Sequence, residues 1–176
     1  MRDSNRTKKM LAEAMMELMQ EKPFEKISVG DICERCDMNR KSFYYHFLDK
    51  YDLINWIFDT EFVSVVKDIL YGESQEILMA MNELLYRNRA FYKKALQIQG
   101  QNSFSEHFQD TLFPVISIRF EELMHLTDGH EFQKRFFTDA VVMAYKRWII
   151  EDKDVNPEEF YQELKACMAI MREANI

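Results

Sequence analysis

The segment 40–46 combines side chains that suit a phosphate-binding surface. Cations, hydroxyl groups and an imidazole recur along it, namely Arg40, Lys41, Ser42, Tyr44, Tyr45 and His46. On a helix that turns 100° per residue, Phe43 and Phe47 share one face, and Lys41 and Tyr45 lie nearly opposite. The apolar face predicts burial, and the polar face presents groups that bind phosphates and base edges.

The position of the two cations is unusual for a sequence selected for folding alone. Arg40 and Lys41 occupy the first turn of the predicted helix, where the macrodipole disfavours each positive charge by about 0.3–1 kcal/mol. A bound phosphate would reverse the sign of that cost. A solvated charged turn on an ordinary helical bundle is the alternative, and the pattern by itself does not choose between the two.

Residues typical of helix ends indicate that another short helix precedes this segment in the sequence. Ser28 and Asp31 have the spacing of a capping box, and Asn39 is a good N-cap for the helix that begins at Arg40. A break at residues 37–38 separates the two helices, and a longer helix over residues 4–21 precedes them. This order predicts a helix-turn-helix arrangement whose second helix inserts its N-terminal half into the DNA major groove.

The rest of the chain is predicted to be helical as well. Four glycines and three prolines punctuate 176 residues, and apolar residues recur at spacings of three and four. We expect an all-α fold of about nine helices. After the first three, the predicted helices cover residues 49–71, 74–87, 90–99, 103–126 (kinked or split at Pro114), 131–151 and 157–174.

Charge and cysteine content limit the classes of protein to which this sequence can belong. The net charge is −7, but residues 1–50 carry +1 and residues 51–176 carry −8, so the acidity lies outside the cationic segment. DNA affinity depends on local phosphate neutralisation, which this division permits. Three cysteines, a polar N-terminus and the lack of an apolar run of about 20 residues predict a soluble cytoplasmic protein.

The segment from Ser28 to Leu53 resembles the DNA-binding signature of TetR-family regulators. Its most specific part is Phe43-Tyr44-Tyr45-His46-Phe47, followed by Asp49-Lys50 and Leu53. The resemblance implies a three-helix DNA-binding domain, which we place at residues 1–48, and a helical dimerisation and regulatory domain at 49–176. It also implies DNA contacts from the recognition helix and its flanks, through Ser28, Asn39, Arg40, Lys41, Ser42, Tyr44, Tyr45, His46 and the phosphate-contacting Lys50.

The sequence departs from the family pattern in three respects. Asp37 replaces the turn glycine and is less suited to a left-handed conformation, and Lys41 replaces a small residue on the reading face. Cys33 and Cys36 stand where alanines are usual. Their CxxC spacing alone does not make a zinc site, because only Cys167 and scattered histidines remain as further ligands, so we interpret both as packing residues.

The resemblance also implies that the C-terminal domain dimerises and receives an effector. Apolar stretches at 136–150 and 160–171 suit a four-helix interface between two copies, which would bind a near-palindromic operator. Candidate effector-pocket residues are Trp56, Phe62, Met79, Phe91, Phe104 and Phe108. Such residues at helical spacing are more often simply core.

The function predicted from these features is a DNA-binding regulator, with a repressor controlled by an effector as the first interpretation. The segments 39–47, 50–57 and 88–93 further resemble the subgroup of dihydroxyacetone-kinase operon regulators. That resemblance implies, as the alternative to a small ligand, control by a partner protein. A helical interaction module that has lost DNA binding is a competing class. No set of residues suggests an enzyme, a metal or a cofactor.

Overall fold

The computed structural model describes residues 2–69, 74–100, 103–124, 130–151 and 154–173, and this part of the chain is helical without strands. The α-helices are α1 Arg2–Glu21, α2 Val29–Arg35, α3 Arg40–His46, α4 Lys50–Ile69, α5 Ser74–Arg87, α6 Arg89–Ala95, α7 Phe104–Met124, α8 Glu131–Ile150 and α9 Pro157–Glu173. A short 3-10 helix, Phe24–Lys26, joins α1 to α2. None of the described helices is long and apolar enough to cross a membrane.

The contacts within the chain define two compact units. The first unit combines Met1–Glu61 with Ala90–Ser105, and the second combines Phe62–Arg89 with Glu106–Ile176. The predicted domain boundary between residues 48 and 49 stays a prediction. The first unit contains the three N-terminal helices and, from Ala90 onward, α6, a helix that was predicted to lie in the C-terminal domain.

Short-range capping accounts for the ends of α2. The backbone N–H of Ser28 donates to Asp31 Oδ2 at 2.7 Å, and the N–H of Asp31 donates to Ser28 Oγ at 3.1 Å, which confirms the capping box. At the other end Asp37 adopts a φ of 53°. The N–H of Met38 then reaches the carbonyl of Cys33 and that of Asp37 the carbonyl of Glu34, which is a Schellman motif.

The core of the first unit fixes α3 on α1 and α2. Helix α1 packs against both of the other helices, and α2 packs against α3. Phe43 and Phe47 are buried as predicted, and each contributes roughly 1.5–3 kcal/mol through burial. The Arg35 guanidinium forms a fork with Glu21, with N–O distances of 2.7 and 2.8 Å, and so ties α2 to α1.

Within the first unit, polar contacts as well as apolar ones hold α6 against α1 and α4. The ammonium of Lys94 donates to the carbonyl of Met19 and, at 3.3 Å, to that of Gln20, at the C-terminal end of α1. The Tyr92 hydroxyl donates to Glu61 on α4. Lysine near a helix C-terminus satisfies carbonyls that have no partner within the helix.

Buried hydrogen bonds connect the helices of the second unit. The Tyr145 hydroxyl donates to Asn82 Oδ1 at 2.7 Å, and Asn82 Nδ2 donates to the carbonyl of Pro157 at 3.1 Å. These two hydrogen bonds join α8, α5 and the start of α9. The Arg89 side chain donates to the carbonyls of Trp148 and Ile149 and thereby caps the end of α8.

Most predicted helix bounds agree with the structure to within two residues where both ends are described. The predicted ends at residues 71, 126 and 174 lie outside the described residues. Helix α6 ends at Ala95, four residues earlier than predicted, because the chain continues in turns to Ile98. Helix α7 continues through Pro114 as one element. The 3-10 helix was not predicted.

Candidate nucleic-acid interface

Helix α3 is held in place by a polar cap and an apolar anchor. Asn39 Oδ1 accepts the backbone N–H of Ser42 at 2.8 Å and lies 3.3 Å from the Ser42 hydroxyl. Phe43 and Phe47 are 0% and 4% exposed. The predicted N-cap is therefore confirmed, and the Asn39 and Ser42 side chains also serve the local structure of the helix.

The opposite face of α3 presents large polar side chains to solvent. Arg40 and Lys41 are exposed, and Tyr44 and Tyr45 are 59% and 82% exposed. Exposed phenol rings do not contribute the burial that stabilises a core, whereas aromatic and cationic groups are common where proteins bind partners. The structure thus brings four predicted contact residues onto one accessible surface.

His46 lies at the edge of this surface and is half-buried. Burial lowers the pKa of its imidazole below the usual 6.5, and the positive charge of Lys8 on α1 lowers it further. The imidazole is therefore mainly neutral at pH 7, with one nitrogen as donor and the other as acceptor. Its ring also lies edge-on to Tyr45, with the centroids 4.9 Å apart.

Lys50, which the resemblance assigns to a phosphate, points into the first unit. Its Nζ donates to the carbonyls of Phe24 and Ile27, both at 2.8 Å, and lies 3.5 Å from that of Glu25. Nζ also lies 4.1 Å from the centroid of the Phe24 ring. Burial lowers the pKa of this lysine, against the smaller effect of Glu25 and Asp31. Its three donors thus face the 3-10 helix, and the phosphate contact stays a prediction.

Gly30 also lies in this region, although it was not among the predicted contact residues. A methyl group built on Gly30 would lie 2.7 Å from Arg40 Nη2 and 3.3 Å from Ser28 Oγ, so the guanidinium occupies the space beside the glycine. No sequence signal marks this contact, because ten residues separate the two positions. An open concavity lies here, lined by Ser28, Gly30, Asp31, Cys33, Glu34, Met38, Asn39 and Arg40.

Cys33 within α2 and Cys36 directly after it both pack against the protein in this structure. Cys33 is buried, and Cys36 Sγ contacts the carbonyl of Ile32 at 3.2 Å. Burial raises the pKa of both thiols, which makes a reactive thiolate unfavourable at neutral pH. Among the residues that the structure describes, no three His, Cys, Asp or Glu side chains are grouped so that they could hold a metal ion.

The predicted effector-pocket residues divide between the two units. Trp56, Phe91 and Phe104 belong to the first unit, and Phe62, Met79 and Phe108 belong to the second. Within the second unit a cavity of about 190 Å³ is lined by other residues, namely Leu78, Ile116, Arg119, Phe136, Phe137, Ala140, Val141, Ala144, Leu164, Cys167 and Met168. The cavity is apolar apart from Arg119, and the predicted pocket stays a prediction.

Comparison with known families identifies the class to which this fold and helix-turn-helix belong. Residues 11–57 match the family described as bacterial regulatory proteins, tetR family, and residues 72–169 match its transcriptional regulator C-terminal region. The second match alone covers more than half of the chain. The chain belongs to the TetR family of transcriptional regulators.

Individual proteins resemble this chain in sequence and in fold. Over 110 residues, 61% of this chain, it is 34% identical to the HTH-type dhaKLM operon transcriptional activator DhaS of Lactococcus lactis, and the alignment spans 57% of that relative. Solved structures share the fold. The dihydroxyacetone kinase operon activator DhaS has a TM-score of 0.71 at 24% identity, with 96% of this chain and 97% of that chain covered.

A more distant structure has the same fold. NalD of Pseudomonas aeruginosa, described as the secondary repressor of the MexAB-OprM multidrug efflux pump, has a TM-score of 0.68 at 15% identity, with 96% of each chain covered. The all-α architecture, with a helix-turn-helix at the N-terminus and a helical C-terminal region, is confirmed by these likenesses.

Proposed function

We propose that this chain acts in the cytoplasm as a homodimer that binds a near-palindromic DNA operator through α3 and thereby controls transcription. The observation that carries the proposal is the exposed face of α3, on which Arg40, Lys41, Tyr44 and Tyr45 project from a helix anchored by buried phenylalanines. A helix of this size fits the major groove, and dimers place two such helices in successive grooves.

The side chains divide into two roles. The guanidinium of Arg40 and the ammonium of Lys41 neutralise phosphates, and each releases condensed counterions on binding. The phenol hydroxyls of Tyr44 and Tyr45 and the neutral imidazole of His46 supply directional hydrogen bonds for phosphates or base edges. Because the two cations lie at the N-terminus of α3, a bound phosphate also removes their unfavourable interaction with the helix dipole.

An apolar stripe on α8 supports dimerisation. Phe132, Phe136 and Met143 recur at helical spacing along one side of this helix, and their exposed fractions are 77%, 64% and 52%. Ile170 on α9 is 65% exposed. Large apolar side chains exposed in a row are unusual on a monomer and mark interaction surfaces. A second copy of this chain is the occupant that we propose.

The sense of regulation remains the prediction made from the sequence, a repressor. The DhaS relative is described as an activator and NalD as a repressor, so both senses occur among its likenesses. The apolar cavity in the second unit shares Phe136 with the proposed dimer stripe and offers space for an effector that contains an apolar group. The alternative is control by a partner protein, as the subgroup resemblance suggests.

Selection of bound fragments from the source genome, followed by binding titrations at several salt concentrations, tests the proposal. We expect dimers by light scattering and an affinity that falls steeply with salt. Arg40→Gln and Lys41→Gln should each weaken binding and flatten the salt dependence, whereas Arg87→Gln, a charge-matched change at an exposed position on α5, should leave both unchanged. A folded protein that binds no duplex at low salt would refute the DNA-binding function.

A further inference from the structure

Gly30 and Arg40 share a small volume at the surface of the helix-turn-helix. The Arg40 guanidinium lies close to the position that a β-carbon would take on Gly30. From that position Nη2 is only 2.7 Å away and Cζ is 3.5 Å away. Real β-carbons almost never come within 3.0 Å of another heavy atom, so the two groups exclude each other. Any residue larger than glycine at position 30 moves the guanidinium.

The backbone of Gly30 gives no reason for a glycine. Gly30 lies in the first turn of α2, and the glycine with a positive φ in the described residues is Gly100. Alanine has a higher helix propensity than glycine, so folding alone favours alanine here. The lack of a side chain at position 30 therefore affects the neighbouring Arg40 guanidinium and not the geometry of α2.

We propose that Gly30 is a positioning residue for DNA binding, because its missing side chain leaves the space that the Arg40 guanidinium occupies. This inference rests on the proposed DNA-binding function. The guanidinium then faces a phosphate from the concavity that α2 and the start of α3 line together. The Ser28 hydroxyl in the same concavity donates to Asp31 Oδ2 at 2.7 Å, so Arg40 is the donor that we assign to the phosphate. A fork of donors gives a phosphate contact that depends strongly on orientation, so a displaced guanidinium loses it.

The obstructing atom is the end of a flexible side chain, and this determines the expected result. In Gly30→Ala the guanidinium turns away at little cost to folding, so the melting temperature stays the same or rises. Affinity for a genomic fragment selected by the unaltered protein falls about tenfold, and the slope of log affinity against log salt becomes shallower. A residue that served the fold alone would lower the melting temperature without changing that slope.

A double-mutant cycle tests whether the effect passes through Arg40. Arg40→Gln should weaken binding by a similar factor, and adding Gly30→Ala to it should cause no further loss. An equal loss in both backgrounds would overturn the inference. So would an unchanged affinity in Gly30→Ala while Arg40→Gln binds weakly.

A measurement without DNA separates this inference from the proposed function. The Nε–Hε resonance of Arg40 in the free protein should shift in Gly30→Ala, and the backbone resonances of α3 should not. An unshifted Arg40 resonance would refute the positioning role. If the resonance shifts but the unaltered protein binds no DNA, the steric coupling holds and the DNA-binding function fails.

Discussion

Replacing Lys50 by methionine distinguishes a structural lysine from a phosphate-binding one. Methionine keeps a long apolar side chain against Phe24 but removes the ammonium, and with it the two 2.8 Å hydrogen bonds to the carbonyls of Phe24 and Ile27. A hydrogen bond from a charged donor contributes about 1.5–3 kcal/mol. The cation–π contact with Phe24 at 4.1 Å adds about 0.5–1 kcal/mol.

The net effect is smaller than the sum of these contributions. Burial lowers the pKa of Lys50, which shows that keeping the charge there has a desolvation cost that methionine removes. The site is also half-buried, so water replaces part of the hydrogen bonding that the ammonium provided. We expect Lys50→Met to lower the free energy of unfolding by about 2–3 kcal/mol, measured by urea titration at fixed protein concentration.

The matched control is Lys41→Met, a change of the same kind at an exposed position. It should leave the free energy of unfolding within about 0.5 kcal/mol of the unaltered protein. It should also flatten the salt dependence of DNA binding by about one unit of slope for each phosphate that the lysine no longer neutralises. Lys50→Met should show the reverse pattern. A stable Lys50→Met protein with a flattened salt dependence would refute our reasoning and establish the phosphate contact.

Three further changes test the caps and the buried network. Asp37→Gly should stabilise the protein by about 1 kcal/mol in thermal unfolding, because glycine adopts the φ of 53° without the penalty of a β-carbon. Hydrogen bonds from Ser28 and the contact with Lys22 lower the pKa of Asp31 to about 2, so its stabilising effect is complete above about pH 4 and is lost as the pH falls through about 2. Acid titration of Asp31→Asn should lack that loss. Tyr145→Phe should cost about 1–3 kcal/mol, seen by urea titration, because buried Asn82 Oδ1 loses its donor.

Signals that act over three or four residues could be predicted from the sequence. The Ser28–Asp31 capping box and the Asn39 cap both form as their spacing indicates. Each depends on a side chain reaching a backbone group within the same helical turn. The burial of Phe43 and Phe47 followed in the same way from helical periodicity.

Contacts between distant residues could not be predicted in this way. Helical periodicity gives the apolar face of α6 but not its partner, so the hydrogen bonds from Lys94 to the end of α1 were not predicted. The 3-10 helix was missed because it is only three residues long and part of its support comes from Lys50, 23 to 26 residues away. The space shared by Gly30 and Arg40 likewise exists only in three dimensions.

The inward orientation of Lys50 leaves the proposed interface with few cations. Arg40 and Lys41 supply two positive charges per α3, and four in the proposed dimer, while residues 51–176 carry a net charge of −8 that gives no general attraction to DNA. Four phosphate contacts correspond to a slope of log affinity against log salt of about −4. Such a modest slope implies that the phenols of Tyr44 and Tyr45 and the fit of α3 supply much of the specific affinity. A slope near zero, or one of about −10, would contradict this division between charge and direct contact.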